Sequence, residues 1–266
     1  RDRRGVPKPM GGGTWMLDRA GTMFAGLGED FTALWRVLRD GELLDLESRP
    51  GKAVGGFCSK LPVHGVPFVF ANFTGTAADV DVFTHECGHA FQAWRSMAVQ
   101  PLSIYASPTS DAAEIHSMSL EMLCHPFMEL FFGDDAARYR AGHLESAILF
   151  IPYGAAIDEF QHVVYEQPTL TPSQRADAWR EIERAYLPEW RYQGMPYAES
   201  GRMWQVQRHV FVYPFYYIDY CLAQACALQF HRRAAEDHAA AMAAYRGLAE
   251  RGGSLPFSRL VASAGL

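Results

Sequence analysis

Along most of the chain, apolar residues recur at helical spacing. Over residues 22–39 the positions Met23, Phe24, Leu27, Phe31, Leu34, Trp35 and Leu38 fall on one helical face, and Gly41 supplies a stop. The pattern then changes. Residues 49–58 and 67–75 are rich in glycine, β-branched and aromatic residues, with His64-Gly65 between them, which predicts an antiparallel hairpin. Helical spacing returns over 78–96. A Pro/Ser/Thr loop at 97–110 leads to a helix over 111–130, capped by Ser110 or Asp111. Residues 139–165 read as helix interrupted near Pro152. Thr171-Pro172-Ser173-Gln174 is a capping box with proline at the first helical position, opening a helix that runs to Leu187. Residues 188–202 are loop-like. Helices over 215–233, 236–251 and 255–266 complete the chain, the last two separated by Gly252-Gly253. The Gly- and Pro-rich residues 1–20 predict irregular structure, starting with a frayed Arg1-Asp2-Arg3-Arg4. The expected fold is one mainly α domain over 1–266 with a small antiparallel hairpin or sheet.

The helix over 78–96 carries His85-Glu86-Cys87-Gly88-His89, an H-E-x-x-H pattern. On a helix, residues four apart leave the same face one turn apart, the separation one metal ion needs from two imidazoles. Glu86 sits beside them, placed to act on a metal-activated water without ligating the metal. A surface helix with two solvated histidines would explain the pattern equally simply. Gly88 weighs against that reading. A mid-helix glycine costs about 1 kcal/mol relative to alanine, which a bland helix has no reason to bear; a site where backbone or substrate approaches closely does.

Composition narrows the function classes. The 266 residues are 49% hydrophobic and 20% charged, ordinary for a globular protein, and a net charge of -6 gives no reason to expect nucleic acid or an acidic membrane as partner. No apolar run is long enough for a membrane span. Five cysteines (Cys58, Cys87, Cys124, Cys221 and Cys226) are odd in number and widely spaced, which fits buried thiols in a reducing compartment. Together with the lack of an apolar leader this predicts a cytoplasmic protein. Cys58 and Cys87 fall near the motif but form no paired C-x-x-C.

A catalytic zinc needs a third protein ligand. The next helix offers Glu114 and Glu121, two turns apart on one face and crowded by Ile115, Met118, Leu120, Met122 and Leu123. Two carboxylates on so apolar a helix are costly to bury without a cation or histidines to meet them; a solvated acidic face is the plainer alternative. The glutamate at 114 follows His89 by twenty-five residues. In this the chain resembles the thimet oligopeptidase and oligoendopeptidase F family of zinc metallopeptidases. Further similar segments are Arg49-Pro50-Gly51-Lys52 with Gly55-Gly56-Phe57-Cys58, Phe70-Ala71-Asn72-Phe73, Phe160-Gln161-His162 with Tyr165-Glu166, and Pro214 to Tyr220. The likeness extends from about Phe24 onwards.

The resemblance implies a helical, zincin-type catalytic lobe beside a deep channel, and a zinc-dependent endopeptidase of short oligopeptides. It implies one zinc ion on His85, His89 and Glu114, with Glu86 as base and Glu121 holding a ligand histidine in its tautomer. It implies that His209, Tyr217 and Tyr220 meet the substrate carbonyl and that Tyr213 and Tyr216 contact substrate; the spacing after His209 leaves Tyr216 and Tyr217 as alternatives. From spacing alone, these tyrosines lie roughly on one helical face and are as readily core. The hairpin is either plain buried structure or an edge strand that adds an extended peptide as a further strand, and the two are compatible. Family members are about twice as long, so the chain is expected to be the C-terminal part of a longer architecture. Its expected partners are an oligopeptide substrate and either the missing N-terminal lobe or a homo-oligomer partner. The rival functions are a metallocarboxypeptidase and a non-hydrolytic zinc- or peptide-binding helical module.

Overall fold

The structure is a computed structural model that describes residues 5–266; the frayed start expected at Arg1–Arg4 lies outside the described residues. Two helices, α1 (Gly13–Leu27) and α2 (Glu29–Asp40), come first. One helix was expected here, beginning only after residue 20. The apolar repeat does run across both, but Gly28 (φ 131) breaks the backbone, and its carbonyl accepts both the amide and the hydroxyl of Thr32 in the new helix. Gly41 caps α2 as expected.

Three strands follow: β1 (Leu44–Glu47), β2 (Phe57–Leu61) and β3 (Val66–Phe73). The expected antiparallel hairpin is β2–β3, with Phe57 opposite Phe70 and Leu61 opposite Val66. The sheet is nevertheless mixed, because β1 adds to the other side of β3 in parallel. Lys52 clasps the pair together. Its buried ammonium donates to the carbonyls of Asp45, Glu47 and Ala71 and to the Asp45 carboxylate. Arg49 completes the grip on Asp45, and these two cations hold that carboxyl well below its ordinary range. β2 is therefore an edge strand.

The long helix α3 (Ala77–Val99) starts from a capping box on Thr76. The Asp79 carboxylate accepts the amides of Thr74, Gly75 and Thr76, fixing the turn that leads out of β3. Helix α4 (Ser110–Leu123) is shorter than expected and is capped at Thr109. Beyond it Pro126 has no amide hydrogen to continue the α-helical ladder; a 3₁₀ turn (His125–Phe127) and α5 (Glu129–Phe132) take up the remainder. α6 (Ala136–Glu166) runs unbroken through Pro152, contrary to the expected interruption. α7 (Pro172–Tyr186) opens on the Thr171–Gln174 capping box. Two short helices, α8 (Pro196–Glu199) and α9 (His209–Val212), precede α10 (Tyr217–Glu236), α11 (His238–Arg251) and α12 (Phe257–Ser263).

The chain forms two compact units, one of residues up to His143 with Ala223–Leu266, the other Leu144–Leu222. In the first, aromatic rings fill the space among α1, α2, α3 and α11: Phe31 stacks on Phe91 at 4.1 Å, and Phe24, Phe83 and Tyr245 surround them. In the second, Ala156, Ile157 and Phe160 of α6 pack with Trp179 and Ile182 of α7 and with Trp204 and Tyr217. Burial of that α6 face offsets the hydrogen bond lost at Pro152.

Helices α3 and α4 lie backbone against backbone at Gly88. A Cβ there would lie 2.5 Å from the His116 carbonyl oxygen and 2.6 Å from Ser117 Cα. The close neighbour that the glycine anticipates is thus the backbone of α4. Gly88→Ala should destabilise the chain by about 1–3 kcal/mol through overpacking, although alanine is the better helix former. Denaturant unfolding checks this; equal or greater stability would contradict the contact.

Candidate metal centre

Helix periodicity puts His85 and His89 side by side on α3, ring centroids 5.0 Å apart. The Gly88 contact brings α4 close enough for Glu114, only 3% exposed, to reach both. Its Oε2 lies 3.3 Å from His85 Nε2 and 3.4 Å from His89 Nε2. One ligand atom from each of the three residues lies within 4.8 Å of the others. Ser117 donates to the same carboxylate oxygen at 2.8 Å and holds it in place. Two imidazoles and one carboxylate are a donor set that suits zinc.

Glu86 lies beside this group and is 6% exposed. Its Oε2 is buried with no hydrogen-bond partner among the described residues, which is costly for a carboxylate unless a substrate or water meets it. Burial raises its pKa, against the pull of His85 and His89. Glu114 behaves oppositely: burial again opposes ionisation, but the two histidines outweigh it and hold the carboxyl well below its usual range. Two neighbouring carboxylates of the same helix pair are thereby separated into one held ionised and one with raised proton affinity. Residues 35–266 match the sequence profile of peptidase family M3.

The chain belongs to peptidase family M3. The structure of Pz peptidase A with an inhibitor is similar to it at 46% identity and a TM-score of 0.95, over 99% of this chain and 47% of that one. A candidate oligoendopeptidase F matches at 49% identity and TM-score 0.95, over 99% and 46%. A candidate oligoendopeptidase F from Bacillus anthracis str. Ames matches at 43% and 0.87, over 98% and 44%. This chain therefore spans about half the length of these relatives. No curated protein matches it. The expected kinship with oligoendopeptidases and the mainly helical fold with a small sheet both hold.

Within this M3 chain the His85–His89–Glu114 group is backed by a chain of side chains. His85 Nδ1 and Glu121 Oε1 are 2.7 Å apart. Glu121 Oε2 is 2.9 Å from His143 Nε2, and His143 Nδ1 is 2.8 Å from His125 Nε2. Burial opposes ionisation of Glu121, but its bonds to His143 and His85 bring its pKa down to about 2. Burial and the His143 charge push His125 down to about 3, so it is neutral. The sequence reading found Glu121 but not His143 or His125. These two stand on a 3₁₀ turn and on α6, at no spacing that relates them to the motif.

Cys58 and Cys87 do not join the His85–His89–Glu114 group; burial pushes the Cys58 thiol up to about 12 and that of Cys87 well above its ordinary value. None of the described helices is long and apolar enough to cross a membrane.

In the second unit, His209 opens α9 and is ringed by tyrosines: Tyr216 stacks on it at 5.8 Å, and Tyr217 and Tyr220 lie at 5.5 and 5.7 Å. They do not share one helical face as expected. Tyr213 closes α9, Phe215 turns the backbone at φ 64, and α10 begins only at Tyr217. Tyr213 is 62% exposed. The buried Tyr217 donates its hydroxyl to Gln207 at 3.0 Å, and Gln207 in turn donates to Tyr153 at 2.6 Å.

Asp81, one turn before His85, accepts the Tyr139 hydroxyl and is raised by burial to about 6. The folded chain thus holds this proton at pH values where the unfolded chain has lost it, so this group's contribution to stability falls as pH rises from about 4 to about 6. Asp81→Asn should leave stability at pH 4 nearly unchanged and raise it at pH 8, by up to about 3 kcal/mol for a shift of this size. Urea unfolding at the two pH values reads the difference.

Proposed function

We propose that this chain is the catalytic part of a zinc endopeptidase acting on short oligopeptides. The observation that supports it most is the convergence of His85, His89 and Glu114 beside an unpartnered, buried Glu86 oxygen. His85, His89 and Glu114 would hold one zinc ion, which when bound supplies Lewis acidity and draws the pKa of a water towards neutrality. Glu121 holds the Nδ1 proton of His85, leaving Nε2 as the donor atom.

Glu86 takes the proton from the attacking water at Oε2 and returns it to the leaving amine as the peptide C–N bond breaks. Its raised pKa favours the first half of that exchange, the uptake of the proton. β2 offers a free edge on which an extended peptide can add as a further strand. Just before β2, Gly56 passes over Glu86; a Cβ there would lie 3.0 Å from Glu86 Oε1. The glycine leaves the base room to move. His209, Tyr217 and Tyr220 are assigned to the developing oxyanion, and Tyr213 and Tyr216 to substrate contact, on the family likeness and on their clustering. Tyr217 would exchange Gln207 for the substrate oxygen.

The rival of a metal-binding module without hydrolysis draws support from the chain's spanning about half of its relatives. Glu86→Gln should keep one zinc per chain by elemental analysis while turnover of a quenched fluorogenic peptide falls roughly 10²–10⁴-fold. Undiminished turnover would remove Glu86 as the base. Zinc without turnover in the parent chain would favour the module. Products released one residue at a time from the C-terminus would favour a carboxypeptidase.

A further inference from the structure

Four residues behind the proposed ligands, Glu121, His143, Tyr139 and Asp81, close a circuit with His85. Glu121 Oε1 faces His85 Nδ1 at 2.7 Å, and its other oxygen faces His143 Nε2 at 2.9 Å. His143 Nδ1 faces His125 Nε2 at 2.8 Å. The His143 ring lies parallel to Tyr139, at 5.7 Å and 9°, one turn earlier on α6. Tyr139 donates to Asp81, which stands one turn before His85 on α3. The path from His85 through Glu121, His143, Tyr139 and Asp81 therefore returns to the helix it left. Four elements contribute: α3, α4, α6 and the His125 turn.

We propose that His143 is a positioning residue for the metal centre, setting the orientation of His85 through Glu121. The inference rests on the zinc reading above. An ionised carboxylate only accepts hydrogen bonds, so both ring nitrogens that meet Glu121 must carry hydrogen. A carboxylate held by one oxygen can swing about its last bond. Held by two rings on opposite sides, it has one plane. That plane presents Oε1 to His85 Nδ1–H and leaves the His85 Nε2 lone pair towards Glu114 and His89. His143 is itself unable to turn, gripped by His125 along one edge and Tyr139 on one face. The outermost ring, His231, sits 5.0 Å from His125 and closes the far end of the cluster.

The test compares His143→Gln, whose amide can replace the Nε2–H donor, with His143→Phe, which keeps a ring against Tyr139 but donates nothing. Zinc affinity is read by competition with a chromophoric chelator, and ligand geometry by the visible spectrum of the cobalt(II)-loaded chain. Partners behind a ligand histidine typically carry 10–100-fold in metal affinity, so one bond further out His143→Phe should weaken zinc about tenfold and His143→Gln by less than about threefold. The cobalt bands should shift in the first variant and not in the second. In a Glu121→Gln background, His143→Phe should cost no further affinity. A purely structural His143 would instead lower thermal stability in both variants without separating them in affinity. Parental zinc affinity in His143→Phe would overturn the role, as would a loss that persists in full in the Glu121→Gln background. If His143→Phe does not fold, His143→Asn, too short to reach Glu121, takes its place in the same comparison. A parent chain that bound no zinc would overturn the metal reading itself, and the role with it.

Discussion

The convergence of His85, His89 and Glu114 depends on how closely two helix backbones meet. Glu114 and Glu121 belong to α4, His85 and His89 to α3, and twenty-five residues of chain separate His89 from Glu114. The register comes from Gly88, where the absence of a side chain lets the α4 backbone at His116 and Ser117 lie against α3. Two features secure the contact from outside. Asp79 fixes the start of α3, and Tyr245 of α11 donates to the His116 carbonyl at 2.7 Å, on α4 itself. A core of stacked phenylalanines beneath α3 leaves the helix little freedom to slide.

That packing has an electrostatic cost. Glu86 and Glu114 are buried and Glu121 is half-buried, on two helices packed against each other. Buried carboxylates of like charge raise one another's pKa unless cations or hydrogen bonds intervene. Here the histidines intervene unevenly. Glu114 and Glu121 each meet two imidazoles and are held ionised, whereas Glu86 meets none directly and keeps its raised proton affinity. The same surroundings therefore leave two carboxylates held ionised and one with raised proton affinity, the division that the proposed acid–base chemistry needs.

What the sequence revealed follows the range of the interactions involved. H-E-x-x-H is legible because a helix converts a spacing of four into a shared face. Gly88 was legible as an anomaly, and the structure supplies its neighbour. Glu114 could be singled out because a buried carboxylate on an apolar helix demands a partner, but its pairing with His85 and His89 required the family likeness. Gly28 was missed because the apolar repeat continues across it and only the backbone turns. β1 escaped because four residues of weak alternation pair in parallel with a strand some twenty residues on, and no local turn announces that. His125 and His143 escaped for a similar reason: three elements converge on Glu121 with no fixed spacing between them.

The bond between Tyr245 and His116 also has a bearing on how the chain matures. The hydroxyl that pins α4 stands 129 residues beyond the carbonyl it holds. The histidines and Glu114 leave the ribosome long before that tyrosine does, so α3 and α4 exist for a time without their outer brace. A cation captured at that stage would meet a loosely registered pair. The finished grip belongs to a chain whose later helices have folded back over the earlier ones.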